Sequence, residues 1–306
     1  MKKLALTLGV SLLIGVWPAA AGDVKTLIKQ LEDKKAENRQ EAAQDLGRLG
    51  KEAKEAVPAL IKALDDQDED VRRRVAHALG KIGPEAKAAV PALIGKLKDK
   101  SAEVRYWVAL SLGDIDAEAD GVFDALKGLV KEAEVGPAAL TTLARIKSRM
   151  KDVIPILAGA LSEPEVRPYA AKLLAKMGSE GLPDLKRLAK HKDEAAKLDA
   201  IVAMSEIGKE AVPAIATALT DKSVLVRLNA ASSLARIGPD AKEAVEDLID
   251  TLKDKDPDVR RQAARALGAI GPAAEQAIPA LEPLLKDEDE DVRRTTKESL
   301  KQIRAK

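Results

Sequence analysis

His77 and His191 are the only imidazoles in this chain, and no cysteine accompanies them. They stand too far apart to share a metal ion. A structural zinc site of ordinary composition cannot be built without thiolates or further histidines. His77 could act as a lone general base, but no nucleophile pattern stands near it, and a surface position accounts for it more simply. Neither a Gly-x-Ser-x-Gly elbow, nor a P-loop, nor a Gly-x-Gly-x-x-Gly turn occurs. Two acidic runs, Asp66-Gln67-Asp68-Glu69-Asp70 and Asp287-Glu288-Asp289-Glu290-Asp291, alternate carboxylates as a calcium loop does. Such a loop also needs a sharp-turn glycine and a distal bidentate glutamate. Val71 and Val292 follow instead, and helix N-capping explains the acids. The reading is that the chain has no catalytic residue, no metal ligand and no cofactor.

The remaining chemistry is that of recognition. Beyond residue 21 the aromatic side chains are Tyr106, Trp107, Phe123 and Tyr169, gathered in one stretch. Leu110, Leu198, Val202 and Leu228 extend an apolar strip beside them. Arg73, Arg74 and Lys81 flank it on one side, and Arg261, Arg265 and Arg294 on the other, with His77 in a solvent-facing column beside them. An apolar patch rimmed by charge is a common mark of a binding surface. The candidate partner contacts are therefore Arg73, Arg74, His77, Tyr106, Trp107, Leu110, Tyr169, Arg261 and Arg265. The same aromatics would serve the core if their helices tilt inward, and the sequence leaves both orientations open. With 51 basic and 50 acidic residues, no strong pull toward nucleic acid is expected.

The elements that position these residues are repeats. Val57-Pro58-Ala59-Leu60-Ile61 returns as Val90-Pro91-Ala92-Leu93-Ile94, and again at Val212-Pro213-Ala214-Ile215 and Ile278-Pro279-Ala280-Leu281. Weaker copies sit at Ile154-Pro155 and Leu182-Pro183, while Lys25, Asp124 and Glu246 fill the proline position elsewhere. A second anchor follows each: Arg39, Arg72, Arg105, Gly136, Arg167, Lys197, Arg227, Arg260 and Arg293. Seven residues beyond it stand Leu46, Leu79, Leu112, Leu143, Leu174, Met204, Leu234, Leu267 and Leu300. Ten beyond it every copy is Leu, Ile or Met. Regular spacing of this kind is the signature of a repeat architecture.

Each unit reads as two helices. The proline suits the first turn of a short helix, where its missing N–H costs nothing. A second helix starts near Asp68, Ser101, Asp193, Ser223, Asp256 or Asp289, all N-cap types. Gly83, Gly208, Gly238 and Gly271 fall where it should end. At 100° per residue the third, seventh and tenth positions after the anchor share a buried side, and the first, second, fifth and ninth face solvent. Asp33, Asp66, Asp99, Asp221, Asp254 and Asp287, six residues before their anchors, predict an Asp–Arg ladder within or between units. The alternative is a row of arginines that binds anions. Only 2% of residues are aromatic against 46% hydrophobic, so Ala, Leu, Ile and Val must fill the core of thin helical layers.

Val-Pro-Ala-Leu, Asp-x-Asp-x-x-Val-Arg and the close Leu79-Gly80-Lys81-Ile82-Gly83 together resemble HEAT-like repeats, specifically the short type named after phycobilisome lyases. The resemblance covers about residues 23–306 and implies an all-α, right-handed alpha-alpha superhelix, a HEAT/armadillo-like solenoid, of nine helix-pair repeats. It implies that the second helices line a concave groove. The function expected is a non-enzymatic protein-protein interaction scaffold holding a protein or peptide partner there. The alternative by family analogy is a bilin lyase or isomerase. The paired His-Glu motifs of HEAT-like hydroxylases are missing. Gly136-Pro137 replaces one arginine anchor, and Pro164 and Pro168 bracket the next start, so a bend or change of curvature is expected near residues 130–200. Polar terminal units (Lys34-Lys35-Ala36-Glu37 and Thr295-Thr296-Lys297-Glu298) suggest capped ends and a monomer.

The N-terminus reads as an export signal. Lys2 and Lys3 precede the apolar run Leu4 to Val16, and Ala19-Ala20-Ala21 follows the break at Trp17-Pro18. This is the three-part secretory pattern, with cleavage expected after Ala21. The run spans only about two thirds of a bilayer core, which argues against stable membrane insertion. The domain reading is thus a signal peptide at 1–21 and a solenoid at 22–306, secreted to a bacterial periplasm or exterior.

Overall fold

A computed structural model describes residues 23–305. The expected export signal lies outside the described residues. The first part of the chain alternates short and long helices: α1 (Val24–Gln30), α2 (Ala36–Leu49), α3 (Val57–Ala63), α4 (Glu69–Ile82), α5 (Val90–Lys96) and α6 (Ala102–Asp116). The middle is less even, with α7 (Val122–Leu126), α8 (Gly136–Leu143), α9 (Met150–Ala160) and α10 (Arg167–Lys176). Regular alternation returns with α11 (Leu182–Leu188), α12 (Glu194–Ile207), α13 (Val212–Ala216), α14 (Val224–Ile237), α15 (Val245–Thr251), α16 (Pro257–Ile270), α17 (Ile278–Leu281) and α18 (Glu290–Arg304). Among the described residues there is no β-strand.

The predicted helix signals operate as expected. Asp68 accepts from the Val71 N–H at 2.9 Å and Asp289 from Val292 at 3.0 Å. Ser101, Asp193, Ser223 and Asp256 cap their helices in the same way. Each satisfies a backbone donor that the first turn leaves without a partner. The even-numbered helices α4, α12, α14 and α16 end on Gly83, Gly208, Gly238 and Gly271, all with φ between 69° and 86°, a region that other residues enter only at a cost.

Packing follows the periodicity. Leu46, Leu79, Leu112, Leu143, Leu174, Met204, Leu234 and Leu267 are completely buried, and Leu300 nearly so. They belong to one hydrophobic core that runs from Leu27 to Ile303. Neither helix of a pair could bury its apolar stripe alone; stacking of successive pairs does it. The even-numbered helices lie side by side in a row, α2 on α4, α4 on α6, and α14 on α16 on α18. They approach closely. A Cβ added at Gly80 would sit 2.6 Å from Ser111 Oγ. Ser111 donates across to the Ala76 carbonyl at 2.8 Å, and Thr142 donates to Ala109 at 2.7 Å.

Among the arginine anchors Arg39, Arg72, Arg167, Arg227 and Arg260 are buried, and they form a ladder that joins neighbours. Arg39 grips Asp66 through Nε and Nη2, at 2.6 and 2.8 Å. Arg72 binds Asp99, Arg227 binds Asp254 and Arg260 binds Asp287 with the same two-pronged geometry. The remaining nitrogen, Nη1, turns back to the carbonyl six residues earlier in its own unit, as from Arg72 to Asp66. The carboxylate partner is thus one unit on, and the backbone partner is local. Buried at 4–8% exposure and fully engaged, these arginines are scaffold, and the alternative of an anion-binding row is set aside.

Between α8 and α10 this regularity fails. Gly136 offers no side chain for the ladder, and the contact between the two helices is thin. Arg167 resumes the ladder differently, dividing itself between Asp193 and Asp199.

Candidate functional site

The solvent side of the even-numbered helices carries every candidate contact residue. Their placement separates them into three groups. The first is on α4 and α6. His77 packs against Trp107 in a tilted arrangement, with ring centroids 4.5 Å apart and planes at 56°, and Tyr106 meets Trp107 edge-on at 5.7 Å. Tyr106, Trp107 and Leu110 are half-buried and packed against the core. The two orientations that the sequence left open are therefore both partly realised: one flank of each ring is in the core and the other lies on the surface. His77 is likewise half-buried rather than a free surface histidine.

Beside this aromatic group lies a depression of about 320 Å³, lined by Gln44, Gly47, Arg48, Arg73, Arg74, His77 and Lys81. Sequence reasoning put Gln44 in the same solvent-facing column as His77, five residues after the anchor, but did not single out Arg48, which stands nine after it as Lys81 does; both come from α2. That they close one hollow with Arg74 depends on how α2 and α4 pack. Arg74 donates to Gln44 through Nη1. Its Nε–H is buried without an acceptor. Burial holds the His77 imidazole below its ordinary value, and the cations Lys81 and Arg73 add to this, with partial opposition from Asp114. Arg73 is paired with Asp70 at 2.7 Å and Glu103 at 3.3 Å, so much of its charge is neutralised.

The second group is Tyr169 alone, on α10. Half of its surface is exposed, and it stands apart from the α6 aromatics beyond the thin α8 packing. The third is Arg261 and Arg265 on α16. Arg261 is held by Asp258 at 2.6 Å and Asp291 at 3.5 Å. Arg265 is exposed and lines a smaller hollow of about 270 Å³ with Val202, Asn229, Ser232, Ala235 and Arg236. Phe123 lies elsewhere: it is nearly buried, with the Arg149 guanidinium 3.6 Å from its ring centre.

Apart from Glu69 and Glu290, the carboxylates that suggested calcium are already engaged. Asp66 receives Arg39 and the Asp68 N–H, while Asp68 caps α4. Among the described residues no group of three His, Asp or Glu side chains is placed to hold a metal ion. No helix among them is long and apolar enough to cross a membrane.

Paired helices stacked on one continuous core, with capped turns and a linking ladder, define an all-helical repeat solenoid. The family is shown by the sequence itself: the HEAT-repeat pattern matches residues 24–89, 160–224 and 212–301, and the chain belongs to the HEAT repeat family. Solved structures agree on the fold. Kap95p, in a structure with RanGDP, is 15% identical, with a TM-score of 0.66 over 94% of this chain and 46% of the other. Kap121p is 14% identical, with a TM-score of 0.62 over 92% of this chain and 37% of the other. The chain thus spans less than half the length of these two proteins. An engineered protein shares 27% identity over 92% of this chain and 89% of that one, at a TM-score of 0.43. No curated protein matches the sequence.

Proposed function

We propose that this chain is a non-enzymatic scaffold that seats a protein or peptide partner along the concave groove lined by its even-numbered helices. The observation that carries the reading is the surface of α4 and α6, where half-buried aromatic and aliphatic side chains border a polar hollow. Such a border suits recognition better than catalysis, because apolar area and charge are available together while no nucleophile and base converge. HEAT solenoids are interaction folds, and Kap95p, in the structure cited above, binds the protein RanGDP. In this proposal nine repeat units act as a monomer, exported by residues 1–21 to the cell envelope or exterior, with no role for nucleic acid or cofactor.

Cross-linking mass spectrometry on the native host tests the reading. The partner should cross-link to Lys81, Lys172 and Lys176, which lie on the groove side. Cross-links confined to Lys62 and Lys186, on the odd-numbered helices, would overturn it. Substituting Trp107→Ala should reduce recovery of that partner at least tenfold. N-terminal sequencing of the recovered chain should begin at Gly22; a retained Lys2 and Lys3 would overturn the export reading alone.

A further inference from the structure

The hollow between α2 and α4 is distinctive in its chemistry. Arg48, Arg73, Arg74, His77 and Lys81 line it together with Gln44, and no carboxylate does. On a chain with nearly balanced charge, that is a local concentration of cations. Arg48 and Arg73 are balanced by acids of their own helices, Asp45 and Asp70. Arg74 and Lys81 have no carboxylate partner among the described residues. Arg74 is also short of an acceptor: Gln44 takes one Nη1 proton, and the Nε–H is shielded from water without a bond. Buried donors of this kind are rare because desolvation without a hydrogen bond is costly. A guanidinium edge is shaped to receive the two oxygens of a carboxylate. The volume, about 320 Å³, is at the low end for ligand sites and suits a side chain or two rather than a cofactor. Next to it, the Trp107 ring, packed at a tilt against His77, offers an apolar ledge.

We infer that this hollow is an anion site for an acidic segment of the partner polypeptide. A Glu or Asp carboxylate sits between Arg74 and Lys81, and a neighbouring apolar side chain of the same segment rests on Trp107. A small rotation of the Arg74 side chain aims its Nε and Nη2 protons at the carboxylate, while Lys81 adds its charge from the exposed rim. The inference rests on the reading of this face as the partner surface and supplies its chemical preference.

Fluorescence anisotropy tests it, with a labelled twelve-residue peptide of alternating Glu and Leu, and the same peptide with Gln in place of Glu. The full chain should bind the Glu peptide, and the Gln peptide at least tenfold more weakly. The Arg74→Gln variant, its fold checked by circular dichroism, should lose at least tenfold for the Glu peptide. Lys81 is exposed, so Lys81→Glu leaves the fold intact and should have an equal or larger effect. Lys62→Gln, exposed on the odd-numbered α3, should change affinity less than twofold. Raised salt should weaken Glu-peptide binding steeply. Equal affinity for the two peptides, or no loss in Lys81→Glu, would overturn the anion site yet leave the groove reading standing on its apolar strip. Binding of inorganic phosphate in a calorimeter, with no binding of the Glu peptide, would also overturn it. If the Glu peptide binds as expected but the native partner cross-links only to the odd-numbered helices, the groove reading alone fails.

Discussion

The flanking stretches of the solenoid and its centre are built from the same unit but held together differently. From α2 to α6, and from α14 to α18, each even-numbered helix packs along the next, and buried Arg–Asp pairs tie successive units. At the centre α8 and α10 are shorter, Gly136 leaves a gap in the ladder, and packing between the two helices thins. Since each unit contacts only its neighbours, a solenoid's strength is a sum of interface terms. One weak interface then sets where the array opens. The difference teaches that the ladder and the close helix approach, more than the apolar columns, distinguish strong interfaces from weak ones: Leu143 and Leu174 are as buried as Leu79.

The comparison can be tested through the ladder as a whole, which should give the largest effect. Burial would raise the carboxyls of Asp66, Asp99 and Asp254, but bonds from Arg39, Arg72 and Arg227 and from backbone N–H groups carry them below the ordinary range. For Asp287 the Arg260 bond is the leading influence and lowers it outright. Unfolded aspartate titrates near about 3.9. Around that pH the folded state holds fewer protons than the unfolded chain, so acid favours unfolding. The ladder's contribution should be complete above about pH 5 and vanish as pH falls through the lower folded values. Urea midpoints measured from about pH 7 to 2 should be level at first and then drop. A decline confined to the range above about pH 5 would contradict this assignment.

A single rung comes next. Arg72→Met leaves Asp99 buried without its partner and should cost about 3–5 kcal/mol by urea denaturation. If α4 and α6 tolerate it with no change in midpoint, the ladder is not what makes the outer interfaces strong. Closer to the helix contact, Gly80→Ala should cost about 1–3 kcal/mol through overpacking against Ser111. The smallest effect belongs to the edge of the weak centre. Arg105 meets Glu132 at 2.9 Å, but the carboxylate is well exposed, so Glu132→Gln should change stability by about 1 kcal/mol or less. Hydrogen exchange should show α8 and α10 opening before α4 and α16; uniform protection would remove the contrast.

Much of this was legible in the chain. The caps at Asp68, Ser101 and Asp289 and the terminal glycines follow from local backbone needs, and the buried columns follow from helical periodicity. The candidate contacts were less legible. Arg73 and Arg261 read as free flanking cations, yet each is claimed by two acids. One comes from its own helix, at the short spacing that sequence can suggest; the other, Glu103 or Asp291, comes from the next unit. Tyr106 and Trp107 defied a choice between inside and outside because a ring at the border of two helices is both.

Sequence by itself determined the repeat, the order of helices, the core residues and the arginines and aspartates of the ladder, because each depends on spacing within one unit. Only the tertiary structure decided that Arg72 reaches Asp99 rather than the Asp66 carboxylate of its own unit, and that Gln44 and Arg48 join Arg74 around one hollow. Those contacts depend on how far one unit is rotated and shifted against the next. That rotation comes from side-chain packing across the interface, between residues about thirty apart in the chain, and no local pattern of residue types encodes it directly.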